Sequence, residues 1–147
     1  PAVAELIRGV FDEMNIPKVG TAYEDPYLDL MFEEYSKPKS VYFVVEKDGK
    51  IIGSAGVAPL ENEAETICEL QKMYFLPETR GLGIGSQMMA KCLQSAKDFG
   101  FEKCYLETMP FMLDAQKLYK KVGFEYICSP MGSTGHTSCP VWMLKKL

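Results

Sequence analysis

Three glycines in five residues follow an arginine in the stretch Arg80-Gly81-Leu82-Gly83-Ile84-Gly85. With no Cβ in the way, the backbone N–H groups of such a turn can converge on one point. A helix opening there adds about half a positive charge at its N-terminus. The spacing therefore points to a pyrophosphate site, and Arg80 can add a charge-assisted contact. Two nucleotide-binding patterns fail on residues. A P-loop needs Gly-Lys-Ser/Thr, but Gly85 is followed by Ser86-Gln87. A dinucleotide fingerprint needs a glycine or alanine at 86 or 88, and these are Ser86 and Met88. The alternative is a turn whose glycines only let helix and strand pack closely. Other reactive types are sparse. The single histidine, His136, excludes HExxH sites and any site built from several histidines. Cys128, His136 and Cys139 give three ligands at a spacing unsuited to zinc, and no metal site is expected. His136 and Cys139 lie three residues apart in one turn, a poor geometry for a base and its nucleophile.

These residues must be held by the elements around them. Val3, Leu6, Ile7, Val10, Phe11 and Met14 follow helical spacing, with Pro17 and Gly20 as stops. A second helix is predicted over Pro26–Tyr35, with Leu28, Met31 and Phe32 on one face. Val41–Glu46 and Ile51–Val57 read as a hairpin around Asp48-Gly49, a type I′ pair. Gly53 and Gly56 in the returning strand imply close approach by another group. Residues 61–66 form an acidic connector, and a long strand runs from Ile67 to Leu76 until Pro77. The helix after Gly85 carries Met88, Met89, Cys92, Leu93 and Ala96 on one face and stops at Gly100. Lys103–Thr108 is a strand and Leu113–Val122 a helix ending at Gly123. Phe124–Ser129 and Val141–Leu144 are the last strands. The order predicts an α/β (α+β) fold: a mixed, mostly antiparallel sheet flanked by helices. Its central parallel pair comes from the crossover Ile67–Thr108.

The chain has 147 residues and a formal net charge of −4, with 47% apolar residues. One domain over residues 1–147 follows from that length. The acidic balance argues against non-specific nucleic-acid binding. Five irregularly spaced cysteines without a CxxC pair point to a reducing, cytoplasmic setting. No apolar run reaches membrane-spanning length, so no membrane partner is expected.

The stretch Arg80 to Gly85, after a strand and before a helix, resembles the GNAT superfamily of acyl-CoA-dependent N-acyltransferases, whose signature is Arg/Gln-x-x-Gly-x-Gly/Ala. The resemblance extends upstream through ELQKMYFLPETRG. Downstream, AQKLYKKVGF (Ala115 to Phe124) is similar to the family's second motif, Ala-x-x-Leu-Tyr-x-x-x-Gly-Phe. The element order matches from Ala2 to Leu147, except that GNAT domains usually open with a strand. The chain starts inside the following helix, so the resemblance implies a first strand missing from this sequence.

The resemblance implies acetyl-CoA as co-substrate, with its pyrophosphate on the amides of Arg80, Gly81, Leu82, Gly83, Ile84, Gly85 and Ser86. Its pantetheine arm would lie between strands 67–76 and 103–108, pairing with Met73, Tyr74 and Phe75. An amine would attack the thioester directly in a ternary complex. A strand N–H at Met73 or Tyr74 would serve the oxyanion. Tyr119, at the Leu-Tyr position of the second motif, would be the general acid for the thiolate. Glu69, 11 residues before Arg80, would be the base, acting directly or through water. Tyr23, Asp25 and Tyr27, between the first two helices, and His136 would border the acceptor. The family often has an asparagine three residues before the second motif; Met112 stands there instead, so that contact does not carry over. A primary amine of a small molecule is the expected acceptor. A protein N-terminus or lysine is one alternative, and a non-catalytic acyl-CoA-binding module is another. A homodimer is also implied by the resemblance.

Overall fold

A computed structural model describes residues 2–14, 18, 21, 23, 31–61, 63–79, 83–132, 134 and 140–147. Helix α1 spans Ala2–Met14 and α2 Met31–Glu34. The hairpin strands are β1, Val41–Lys47, and β2, Lys50–Pro59, followed by β3, Ile67–Phe75. Helix α3 covers Ile84–Asp98, β4 Lys103–Thr108 and α4 Leu113–Lys121. Strands β5, Glu125–Ile127, and β6, Val141–Lys146, complete the order. The six strands form one sheet in the order β1-β2-β3-β4-β6-β5. Among the described residues only β3 and β4 pair in parallel, as the crossover through α3 requires.

Each helix covers the sheet face that its apolar stripe dictates. Met88, Met89, Cys92, Leu93 and Ala96 of α3 pack with Tyr119 of α4 against Ala55, Val57, Cys68, Leu70, Cys104, Leu106 and Met143. On the opposite face Leu6, Ile7, Val10 and Phe11 of α1 pack with Met31 and Tyr35. The expected stripe of the second helix is corrected here. Met31 and Tyr35, one turn apart, are buried, whereas Phe32 is 84% exposed because it lies about 100° further round. Leu28 lies outside the described residues. The last two strands also differ in length from expectation. Strand β5 is short and β6 long because β6 pairs along all of β4 before β5 joins its outer edge.

The hairpin turn has Asp48 at φ 52° and Gly49 at φ 78°, as a type I′ turn needs. Gly53 and Gly56 do admit close neighbours. A Cβ at Gly53 would collide with the Phe75 ring, and one at Gly56 with the Tyr42 ring and, at 2.6 Å, the Val41 carbonyl. No helix among the described residues is long and apolar enough to cross a membrane.

Candidate active site

The site is made by a parallel pair that parts. Strands β3 and β4 pair only through Ile67–Lys103, Cys68–Cys104 and Glu69–Tyr105. Beyond that point β3 follows β2, while β4 follows β6 to Thr108–Val141. Each strand keeps its antiparallel neighbour, so a V-shaped gap opens between them.

A bulge sharpens the gap. Ser54 pairs with Tyr74 and Gly56 with Gln71, leaving Lys72 and Met73 opposite one residue of β2. Lys72 sits at φ 49°, the left-handed region that a lysine seldom adopts. Its carbonyl accepts from the Tyr42 hydroxyl at 2.8 Å, with Ser54 Oγ at 3.5 Å. The bulge also resets the alternation of β3. Cys68 and Leu70 share their face with Met73 and Phe75, whereas Tyr74 faces α1.

Two connected spaces follow. A wide, mostly apolar cleft of about 480 Å³ lies toward α3 and α4, lined among others by Met73, Phe75, Gly83, Gly85, Leu118 and Tyr119. A narrow cavity of about 60 Å³, room for a few waters, lies between the strands and α1. Glu69, Gln71, Lys72 and Glu107 line it. Met73, Tyr74, Met112 and Tyr119 line both spaces and so mark their junction.

At the wide end, Gly83 caps α3 at φ 76°, and its carbonyl accepts the first helical bond, from Gln87 N–H at 3.2 Å. The amides of Ile84, Gly85 and Ser86 precede that bond and have no acceptor within the helix. A Cβ on Gly85 would lie 3.3 Å from Leu118 Cδ2, so glycine lets α3 and α4 approach closely. Ser86 is exposed on the first turn, off the cleft wall. Arg80, Gly81 and Leu82 lie outside the described residues.

Tyr119 is 8% exposed, and burial pushes its hydroxyl up to about 12. Its ring meets Phe124 edge-on at 6.0 Å. Among the described residues its hydroxyl has no hydrogen-bond partner, yet no side-chain polar atom there is both fully buried and unpartnered. The hydroxyl therefore opens to the cleft. Helix α4 is tied to the end of β4 by Gln116, whose Nε2 donates to the Met109 carbonyl at 2.8 Å. The Tyr126 hydroxyl donates in turn to Gln116 Oε1 at 2.7 Å.

Glu69 is 5% exposed at the base of the gap, and Oε1 accepts from Gln71 Nε2 at 2.7 Å. Gln71 Oε1 accepts from the Tyr35 hydroxyl. Glu107, across the gap, accepts from the Tyr105 hydroxyl at 2.7 Å and from Thr134. Sequence reasoning missed Glu107, Gln71 and Tyr35. Period-two alternation from the paired Glu69 and Tyr105 would have put Gln71 and Glu107 on the same face. Tyr23 lies one ring away from the cavity, 5.7 Å from Phe11, which lines it. Asp25, Tyr27 and His136 lie outside the described residues. Two buried thiols are held in the protonated form: burial pushes Cys92 up to about 12, and a hydrogen bond with Cys68, followed by burial, raises Cys104.

With this geometry in view, the comparisons decide the family. The acetyltransferase (GNAT) family model matches residues 7–124. The chain belongs to the GNAT family. Over its whole length it is 43% identical to the "uncharacterized N-acetyltransferase YjgM" of Escherichia coli (strain K12), covering 89% of that protein. It is similar in fold to a GNAT-family acetyltransferase of Staphylococcus aureus Mu50, at TM-score 0.86 and 21% identity, over 99% of this chain and 91% of that one. A phosphinothricin acetyltransferase of Sinorhizobium meliloti, solved with AcCoA, aligns at TM-score 0.71 and 24% identity, over 99% and 85% of the two chains. In this GNAT N-acetyltransferase, the parting of β3 and β4 and the helices α3 and α4 together line the wide cleft.

Proposed function

We propose that this acetyltransferase moves acetyl from acetyl-CoA to the primary amine of a small molecule, by direct attack in a ternary complex. The observation that carries the reading is the junction. Tyr119, Met73 and Tyr74 stand where a wide apolar cleft, capped by the start of α3, meets a narrow cavity holding Glu69. The amides of α3, with Arg80, Gly81 and Leu82 before it, take the pyrophosphate. The pantetheine arm fits between β3 and β4, against Met73, Tyr74 and Phe75. The AcCoA bound by the Sinorhizobium meliloti protein supports this co-substrate.

The amine arrives as an ammonium, with a pKa near 10. Glu69 takes its proton, directly or through the few waters that the narrow cavity can hold. The amine nitrogen then bonds to the thioester carbon, and the N–H of Met73 or Tyr74 stabilises the oxyanion. As the C–S bond breaks, Tyr119 gives its proton to the CoA thiolate, and the second proton, shed by the nitrogen as the amide forms, returns through water to the Tyr119 oxygen. A hydroxyl held at about 12 keeps its proton at neutral pH and has it ready for transfer. The narrow cavity suits a slender alkylamine, with Tyr23, Asp25, Tyr27 and His136 bordering the rest of the acceptor.

The test is thiol release from acetyl-CoA over a panel of small primary amines, beside a peptide offering an N-terminus and a lysine. Turnover with small amines is expected, with a thermal upshift on adding CoA. No shift with CoA refutes the co-substrate assignment. Tight CoA binding without turnover of any amine indicates a sensing module, and peptide preference indicates a protein acceptor.

A further inference from the structure

Glu69 does not stand alone in its cavity. Its neighbour on the same face of β3, Gln71, is held at both ends: Nε2 donates to Glu69 Oε1 at 2.7 Å, and Oε1 accepts from the Tyr35 hydroxyl. Tyr35 is itself 8% exposed. It is wedged against Tyr42, ring centroids 4.7 Å apart, and a Cβ on Gly56 would come within 3.2 Å of it. The glycine that admits Tyr42 thus also leaves room for Tyr35 and fixes the far end of the chain of bonds.

The three residues fit both protonation states of the carboxyl. An ionised Glu69 only accepts, so Gln71 must present its NH₂ group and the Tyr35 hydroxyl must donate to the amide oxygen. Once Glu69 carries a proton it can donate. Gln71 then turns its amide over to present oxygen, and its NH₂ group faces a Tyr35 oxygen that accepts. Only the amine N–H bond breaks and only a Glu69 O–H bond forms; the proton later leaves through cavity water. We propose that Gln71 is a positioning residue for the Glu69 base, an amide that reverses as Glu69 gains and loses the acceptor's proton while Tyr35 changes from donor to acceptor. This inference rests on the reading of Glu69 as the base.

Other charged and titratable groups face the same cavity. Lys72 of β3 and Glu107 of β4 line it, as do Tyr74 and Tyr119. Lys72 Nζ lies 5.8 Å above the Tyr35 ring. Tyr105 and Cys104 of β4 lie close enough for the Glu69 charge to raise both. From β2 the residue opposite Glu69 is Ala58, and from α1 the cavity receives Phe11, both uncharged. Gln71 donates to Glu69 directly, at 2.7 Å.

Carbon-13 detection of the Glu69 carboxyl and nitrogen-15 detection of the Gln71 side-chain amide read the coupling without an acceptor. In the wild type both signals should titrate with one midpoint, and Glu69→Gln should abolish the Gln71 titration. Gln71→Met removes a donor to the ionised form, so the Glu69 midpoint should rise by about one pH unit. Tyr35→Phe should move it the same way by less. The acid limb of kcat, read with the best amine of the panel, should follow the Gln71→Met midpoint upward. Should neither variant move the midpoint, the role of Gln71 is refuted while the base stands. Full turnover in Glu69→Gln removes the base itself, and the positioning role with it.

Discussion

Tyr42→Phe deletes one oxygen and keeps a ring that Gly56 accommodates. That oxygen holds the carbonyl of Lys72 at 2.8 Å and touches Ser54 Oγ at 2.9 Å. Ser54 is fully buried, and its own reach to the Lys72 carbonyl is a long 3.5 Å. An interior carbonyl that loses its main donor costs about 1–3 kcal/mol, and the residual Ser54 contact puts the expected loss at about 1–2 kcal/mol. The urea midpoint should fall by roughly 0.5–1 M, and the melting temperature by about 3–6 °C for a domain of this size. The second consequence is catalytic. Lys72 at φ 49° carries strain of about 1–2 kcal/mol, and its carbonyl bond opposes relaxation. In the proposed mechanism, a relaxed bulge would turn the N–H groups of Met73 and Tyr74 away from the oxyanion. Loss of a whole oxyanion donor lowers kcat by about 10²–10³, so a partial misalignment should lower it by roughly tenfold, with KM for acetyl-CoA within about twofold. Urea melts and thiol-release kinetics on the same preparations check both. A wild-type urea midpoint, or a lowered midpoint with unchanged kcat, refutes the reasoning that Tyr42 holds the bulge and that the bulge aims the amides.

Tyr119→Phe should lower kcat while the Kd for CoA, read by calorimetry, changes little, because the proposed mechanism has the hydroxyl act on the departing sulfur; equal kcat removes Tyr119 from the mechanism. Alkali gives a further test. Burial raises Cys92 from 9.0 to about 12 and Tyr119 from 10.0 to about 12, and raises Tyr42 as well. A folded pKa above the unfolded one stabilises fully below the unfolded value and is lost as pH rises toward the folded one. Stability from these groups should therefore hold up to pH 9 and then fall toward pH 12, by about 1.4 kcal/mol per pH unit for each group. Urea melts between pH 8 and pH 11 on wild type and Tyr119→Phe check it, and the variant should fall less steeply above pH 10.

Much of the architecture was legible because its causes are local. The stripes of α1 and α3, the Asp48-Gly49 turn and the glycine stops at 100 and 123 depend on residues within a few positions of one another. So does the glycine-led start of α3, and with AQKLYKKVGF it sufficed to suggest the family. Phe32 was misplaced for the opposite reason. Which side of a one-turn helix is buried depends on the sheet beneath it, and there Met31 and Tyr35 meet the α1 core.

The sequence by itself determined the faces of α1 and α3, the hairpin, the crossover and the residue types available for acid and base. Tertiary structure alone decided where β3 and β4 part, since that depends on each strand keeping a different antiparallel partner. It alone decided the bulge at Lys72, because the Tyr42 hydroxyl that holds it comes from another strand, 30 residues away. And it alone gathered Glu69, Gln71 and Glu107 around one cavity, with Tyr35 bonded to Gln71. Alternation assigns a residue to a face, but only the packing of α1 over the parted strands closes that face into a site.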